Sequence, residues 1–183
     1  TERNALRIAR GAEQRGVAMV AVHGRTREQG YKGVAEYHTV AAVKAALAIP
    51  VVANGDIDTP QKARDVLRAT GADGVMIGRA AQGRPWLFRE IEHFLRTGVH
   101  LDAPQVLHVK TWLLEHLSDH YGLYGEAAGA RSARKHIGWT VRALPGGEGF
   151  RARMNLLDDC ADQVRAVTDW FDELAVDHRT LPT

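Results

Sequence analysis

The chain contains 183 residues, of which 45% are hydrophobic and 25% charged, and its formal net charge is +2 at pH 7. No apolar run approaches the roughly 20 residues that cross a bilayer, so we expect no membrane span and a globular protein of the cytoplasm. The single cysteine, Cys160, excludes an internal disulfide. It shares a helical stripe with Val164, Val167, Phe171 and Leu174, and we therefore expect a buried structural thiol and not a nucleophile.

The first half of the chain alternates between helical and strand patterns. Apolar residues recur at helical spacing from Leu6 onward, with Asn4 as the candidate N-cap. Apolar, β-branched runs near residues 17–22, 51–53 and 75–77 predict three strands, and each run ends in a polar or glycine-containing turn. This βα alternation predicts a parallel sheet. Turns of this kind directly after the strands are typical of the active-site rim of a (β/α)8 barrel.

A complete (β/α)8 TIM barrel needs about 250 residues and eight strands, and this sequence contains three strand patterns. The chain also begins inside a helical pattern without a start methionine. We therefore expect residues 1–97 to be about the last three β/α units of a TIM barrel within a larger protein. An incomplete barrel has an open strand edge, through which the chain is expected to self-associate.

The second half is predicted to be entirely helical. The last barrel helix, at residues 86–96, ends at Gly98, a helix stop signal. Helical patterns follow at 104–121, 127–144, 148–157 and 159–176. The predicted fold is therefore α/β, with the C-terminal portion of a TIM barrel at 1–97 followed by an all-α four-helix domain at 98–183.

The second of these helices carries a stripe of basic residues bordered by an imidazole and an indole. The stripe comprises Arg131, Arg134, Lys135 and Arg142, and its border comprises His136 and Trp139. At 100° per residue the four cations fall within a sector of about 100°. The neighbouring sector, which is expected to face the core, comprises Ala130, Ala133, Ile137, Val141 and Leu144. Such a surface suits a phosphate backbone with an exposed base nearby. Alternatively, the stripe is an ordinary solvated helix face.

The turns after the strands are candidate ligand contacts. His23 stands at the end of the first strand, Asn54-Gly55-Asp56 follows the second, and Gly78-Arg79 follows the third. Glycine allows a ligand to approach backbone N–H groups, and barrels commonly bind phosphate in the loops after their last strands. Together, in this order, the turns favour a phosphorylated ligand such as flavin mononucleotide (FMN). Alternatively, Asn, Gly and Asp are present because they tolerate tight-turn dihedral angles. Asp58-Thr59-Pro60 follows as a capping signature that predicts the start of the next helix.

His116 and His120 are four residues apart and could share one helical face, which would allow both to bind one metal ion. A zinc protease would place glutamate directly after the first histidine, where this chain has Leu117, and no third ligand is evident. We therefore expect no metal site.

Four segments closely resemble the bacterial tRNA-dihydrouridine synthases, in the same order along the chain. They are His23-Gly24-Arg25-Thr26, residues 49–57, residues 70–86 and Arg134-Lys135-His136. The resemblance runs from the first helix to near residue 176.

The resemblance implies an FMN-dependent barrel followed by a helical tRNA-binding domain. In the family, NADPH reduces the flavin, reduced flavin delivers hydride to C6 of a uridine extruded from the tRNA fold, and a cysteine from an earlier strand-loop protonates C5. The segment that holds this cysteine is not in the sequence. No catalytic residue is therefore expected here, and the chain alone is expected to be inactive.

The resemblance also assigns ligand contacts. The residues implied to contact FMN are His23, Asn54, Gly55, Asp56, Gly78 and Arg79. Those implied to contact tRNA are Arg134, Lys135 and His136, to which the basic stripe adds Arg131, Trp139 and Arg142 and the first turn adds Arg25.

Three functions remain open at this point. The first is reduction of specific tRNA uridines to 5,6-dihydrouridine by an FMN enzyme that uses NADPH. The second is another FMN-dependent TIM-barrel oxidoreductase with a small-molecule substrate, which leaves the basic stripe unexplained. The third is a non-catalytic RNA-binding or assembly unit. A flavin spectrum separates the first two from the third, and tRNA affinity with its salt dependence separates the first from the second.

Overall fold

A computed structural model describes residues 4–181 of the chain. Its contacts divide the chain into two compact units. The first unit extends to Ala81 and includes Pro85–Leu101, and the second comprises Gln82–Arg84 and the residues from Asp102 onward. The boundary between the units thus falls after residue 101, four residues beyond the predicted position, and the short segment Gln82–Arg84 belongs with the second unit.

The first unit alternates between helices and parallel strands. Its elements are α1 (Ala5–Glu13), β1 (Val20–His23), α2 (His38–Ala46), β2 (Val51–Asn54), α3 (Pro60–Thr70), β3 (Gly74–Met76), a 3₁₀ turn (Arg79–Ala81) and α4 (Leu87–Thr97). The strands pair in the order β1-β2-β3, and both pairings are parallel. The predicted parallel sheet is confirmed.

The first strand begins later than predicted. Val17 and Met19 are exposed, and the Val17 N–H donates to the Ala12 carbonyl at the end of α1. Residues 17–19 therefore form the connection from helix to strand, although their apolar side chains resemble the start of a strand.

The core of the first unit surrounds β2. Val51 and Ala53 on this central strand are fully buried and pack with apolar residues of α2 and α3. The N-terminus of α3 is capped as the sequence predicted, because the Thr59 hydroxyl accepts from the Lys62 N–H and Pro60 begins the helix. Asn4 occupies the N-cap position of α1 without a side-chain capping bond.

The second unit contains the helices α5 (Val106–Tyr124), α6 (Glu126–Val141), α7 (Gly147–Met154) and α8 (Cys160–Asp177). The face of α6 that was expected to pack inward is buried at every position, namely Ala130, Ala133, Ile137, Val141 and the following Leu144. Period-3.6 patterning therefore predicted this face correctly.

Cys160 differs from the prediction of a buried thiol. It is only half-buried at the first residue of α8, where its Sγ donates to the Glu126 carbonyl at 3.5 Å. Cys160 stands at the end of the helix, beyond the part of the stripe that packs in the core. The periodicity of α8 therefore overestimates the burial of Cys160.

A buried polar side chain joins three helices of this unit. Gln163 on α8 is fully buried and accepts from the Tyr121 hydroxyl of α5 at 2.8 Å. Its amide donates to the Ala130 carbonyl on α6 at 3.0 Å and to the Leu157 carbonyl at 2.9 Å. Because burial raises the pKa of Tyr121, its hydroxyl remains protonated and able to donate.

None of the helices within residues 4–181 is long and apolar enough to cross a membrane.

Candidate functional site

The carboxyl ends of the three strands lie side by side in the sheet. His23 is in register with Asn54, and Asn54 is in register with Met76. The parallel pairing therefore brings the turns that follow these residues to one edge, which is the edge where open α/β sheets and barrels bind ligands.

The first two turns are held together through Asn54. Its carbonyl accepts from the Gly24 N–H at 3.1 Å and lies 3.2 Å from Nδ1 of His23. Because a carbonyl can only accept, Nδ1 of His23 is the donor, and in the neutral ring the lone pair is on Nε2. The Asn54 amide donates to the Met76 carbonyl at 2.8 Å, which ties the second turn to the third strand.

The space around Gly55 is too small for any residue with a Cβ atom. Its φ is +122°, and a Cβ there would stand 2.8 Å from Cβ of Ala35 and 2.9 Å from Nδ1 of His23. The Tyr37 hydroxyl donates to its carbonyl at 2.7 Å. The glycine thus serves close packing in the turn.

A partly buried ion pair anchors the loop between β1 and α2. Arg25 donates to both carboxylate oxygens of Asp56, at 2.9 and 2.6 Å, and also to the Gly33 carbonyl at 2.7 Å. The Asp56 carboxylate accepts the Ala35 N–H at 2.8 Å as well. The hydrogen bond from Arg25 is the main cause that holds the pKa of Asp56 below its ordinary value. Asp56 adopts a φ of +46°, in the left-handed region.

This arrangement changes the expected role of two residues. The Arg25 side chain is only 3% exposed, so its guanidinium has little surface to offer a tRNA phosphate. The structure therefore favours a positioning role for Arg25 over the tRNA contact that the sequence predicted. Asp56 is likewise occupied by the loop, and we assign it to holding the loop.

The third turn leaves a cation and open space at the end of β3. Arg79 is 56% exposed, and its Nη2 lies 3.5 Å from a carboxylate oxygen of Asp56. Its guanidinium carbon stands 4.5 Å above the Tyr31 ring centroid. A Cβ added to Gly78 would meet nothing within 4 Å. An exposed guanidinium next to an unobstructed glycine backbone suits a phosphate group.

The second unit has a cavity of about 240 Å³ with a strongly cationic lining. The lining residues are Arg134, Lys135, Gly138, Trp139, Arg142, Arg151 and Asn155. In the described part of the chain this lining includes no carboxylate-bearing residue. We call this the basic cavity.

The cations of the basic cavity differ in their partners. Arg134 is held by the Leu157 carbonyl and the Asp158 carboxylate, whereas its buried Nε has no hydrogen-bond partner within residues 4–181. Lys135 and Arg142 are exposed, and neither forms an ion pair among the described residues. These two are therefore the cations best able to meet an incoming anion.

The structure divides the residues that the sequence assigned to tRNA. Arg131 and His136 do not line the basic cavity. Arg131 donates to the Ala127 carbonyl of its own helix, and the His136 ring packs against His116 and His120.

Sequence reasoning missed Arg151 and Asn155 as cavity residues. The available signal was Gly138 in the middle of α6, because a Cβ there would stand 3.3 Å from Nε of Arg151. The missing side chain allows Arg151 to lie against the helix, which brings a further cation to the cavity.

The structure places a third histidine beside His116 and His120, which their spacing in the sequence did not reveal. One ring nitrogen from each of His116, His120 and His136 lies within 4.8 Å of the other two. His136 comes from α6, sixteen residues beyond His120, so helix periodicity on α5 could not reveal it.

The family model and three relatives that match this chain are all described as dihydrouridine synthases. The family model described as dihydrouridine synthase (Dus) matches residues 1–175. The chain is 56% identical over 171 residues to tRNA-dihydrouridine synthase B of Pseudomonas putida, covering 93% of this chain and 51% of that protein. It is 55% identical over 172 residues to the protein of the same name from Xanthomonas axonopodis pv. citri, covering 94% and 52%. It is 54% identical over 172 residues to the protein of the same name from Shewanella oneidensis, covering 94% of this chain and 53% of that protein. The chain thus spans about half the length of the curated relatives that it matches.

Proposed function

The chain belongs to the dihydrouridine synthase family, and we propose that it supplies the flavin-phosphate and tRNA-binding parts of an FMN-dependent enzyme. This enzyme reduces specific uridines of cytoplasmic tRNA to 5,6-dihydrouridine with NADPH. In the same proposal, the first unit is the C-terminal portion of a TIM barrel and the second is a helical tRNA-binding domain.

The basic cavity is the observation that carries the RNA part of the proposal. Lys135 and Arg142 are exposed cations beside Trp139. Cations attract the phosphate backbone, and an indole offers a face on which a base can stack. A barrel oxidoreductase with a small-molecule substrate would not need this combination.

The end of β3 supports the FMN part of the proposal. The open space at Gly78 would admit a phosphate oxygen to the backbone, and Arg79 would supply a charged donor. His23, with its lone pair on Nε2, would face the same edge of the sheet. When bound, FMN would supply the hydride for reduction of the uridine ring. The residues of the chain hold the phosphate end and position the loops around it.

A chimeric enzyme tests the proposed activity. In the chimera this chain replaces the matching 171 residues of the Pseudomonas putida relative, and dihydrouridine is mapped in tRNA from cells that lack their own synthases. We expect dihydrouridine to return. Its absence, in a chimera that is folded and yellow with flavin, would contradict the tRNA assignment.

Two variants of the chimera, one at Arg79 and one at Gly78, test the phosphate site. Arg79→Ala is expected to weaken FMN binding by about 1.5–3 kcal/mol, the range for a lost charged hydrogen bond. Gly78→Ala should also weaken FMN binding and leave stability nearly unchanged, because its Cβ meets open space in the protein. Unchanged flavin occupancy in both variants would mean that the phosphate binds elsewhere.

Charge variants test the basic cavity. Lys135→Gln and Arg142→Gln should each lower tRNA affinity and reduce the slope of log affinity against log salt by roughly 0.7–0.9. Arg165→Gln is the matched control, because this exposed cation on α8 pairs with Asp162 and does not line the cavity. NADPH reduction of the flavin should not change. If the salt slopes of both variants equal that of the control, the stripe is an ordinary solvated helix face.

A further inference from the structure

Three imidazoles from two helices face one another in the second unit. His116 and His120 are one turn apart on α5, and His136 lies on α6. The His136 ring centroid is 4.6 Å from that of His116 and 5.0 Å from that of His120. One ring nitrogen from each residue lies within 4.8 Å of the other two. We call these residues the histidine cluster.

The spacing is close to that of a metal site. Nitrogens that share a tetrahedral zinc ion at about 2.0–2.1 Å stand about 3.3 Å apart. The rings of the histidine cluster would need to approach by up to roughly 1.5 Å, through rotation about their side-chain torsions.

A hydrogen bond outside the cluster prepares His120 as a ligand. Its Nε2 lies 2.7 Å from the Ser132 hydroxyl, and that hydroxyl donates to the Ala128 carbonyl at 2.7 Å. A hydroxyl has one proton to donate, so the Ser132 oxygen accepts here and Nε2 of His120 is the donor. This fixes the tautomer and leaves a lone pair on Nδ1, in the way that outer partners orient metal-binding histidines.

We propose that His116, His120 and His136 bind a divalent transition-metal ion, with Zn²⁺ as the preferred occupant, and that the ion links α5 to α6. This site is independent of the proposed tRNA activity.

The donor set selects the class of metal. Imidazole nitrogens suit Zn²⁺, Cu²⁺ and Ni²⁺, whereas Mg²⁺ and Ca²⁺ require oxygen ligands. Three histidines fill three tetrahedral positions, and because His116 is exposed, the fourth is open to water or a small anion.

Metal titration of the 183-residue chain tests the proposal. Isothermal titration with Zn²⁺ alone, in a chelator-free buffer, should give one ion per chain and a rise in the unfolding temperature. Each of His116→Gln, His120→Gln and His136→Gln should weaken binding by at least about tenfold, since each removes a direct ligand. His108→Gln is the matched control, because it changes a histidine of α5 outside the cluster and should leave binding unchanged.

A second readout does not depend on the folding of the histidine variants. The Trp139 ring centroid lies 5.3 Å from that of His136, so Cu²⁺ at the site should quench Trp139 fluorescence. Comparison with Trp139→Phe shows how much of the quenching comes from Trp139. Zn²⁺ should compete with Cu²⁺ for the metal site and restore the fluorescence. No binding of Zn²⁺ by the unmodified chain at micromolar concentration, or an equal loss of binding in His108→Gln, would overturn the proposal.

Discussion

Replacement of Asp56 by alanine tests the idea that this carboxylate anchors the loop between β1 and α2. The substitution removes both hydrogen bonds from Arg25 and the one from the Ala35 N–H. The Arg25 guanidinium would then remain almost wholly buried, with the Lys32 and Gly33 carbonyls as partners. Without its counterion, a charge in this position is costly.

The expected cost follows from the exposure of the pair. Removing one partner of a fully buried ion pair costs about 3–5 kcal/mol. The Asp56 side chain is 26% exposed, so water can replace part of the lost interaction, and we expect about 2–3 kcal/mol. Asp65→Ala is the matched control, because Asp65 forms an exposed pair with Arg64 in the same unit. Such a pair contributes about 0–1 kcal/mol.

Hydrogen exchange followed by mass spectrometry is the suitable assay, because it locates the effect in the chain. Amides of residues 24–37 should exchange faster in Asp56→Ala than in Asp65→Ala, while the helices of the second unit should not differ. Equal exchange in the two variants over residues 24–37 would refute the anchoring role.

The pH dependence of the same measurement has a defined sign. The folded-state pKa of Asp56 lies below its ordinary value of 3.8. A lowered carboxyl pKa stabilises the folded state above the unfolded pKa, and this stabilisation is lost as the pH falls through the folded pKa. The difference in free energy of unfolding between the unmodified chain and Asp56→Ala should therefore be largest near neutral pH and should shrink below about pH 4.

Further predictions concern packing, buried polarity and the open sheet. Gly24→Ala should destabilise the chain by about 1–3 kcal/mol in urea unfolding, because its Cβ would stand 2.1 Å from the Glu36 carbonyl oxygen; Gly78→Ala should change stability by less than about 0.5 kcal/mol. Gln163→Leu should cost about 2–4 kcal/mol, since it removes the bonds from the Gln163 amide to the Ala130 and Leu157 carbonyls and leaves the Tyr121 hydroxyl without its acceptor. Equal unfolding midpoints would contradict this. Within the described residues β1 and β3 each have one unpaired edge, so sedimentation of the chain alone should show concentration-dependent association and at most weak FMN binding. A monomer with stoichiometric flavin would contradict that expectation.

Much of the local structure could be read from the sequence. Period-3.6 apolar patterning identified the buried face of α6, and the Thr59-Pro60 signature identified the start of α3. Glycine stop signals identified the end of α4 at Gly98. These features depend on neighbours within about one helical turn, which is the range over which backbone propensity and capping act. The order of strands and turns also placed three loops at one edge of a parallel sheet.

The pairing of side chains that are distant in sequence was decided only by the tertiary structure. Arg25 and Asp56 are 31 residues apart, and the spacing of residues along the chain gave no sign of their contact. His136 borders the basic stripe of α6 by periodicity, yet its ring packs against two histidines of α5. A sequence determines which face of a helix is apolar, because that pattern is local. Which polar groups meet across helices depends on helix packing and rotamers, which residue spacing along one helix does not encode.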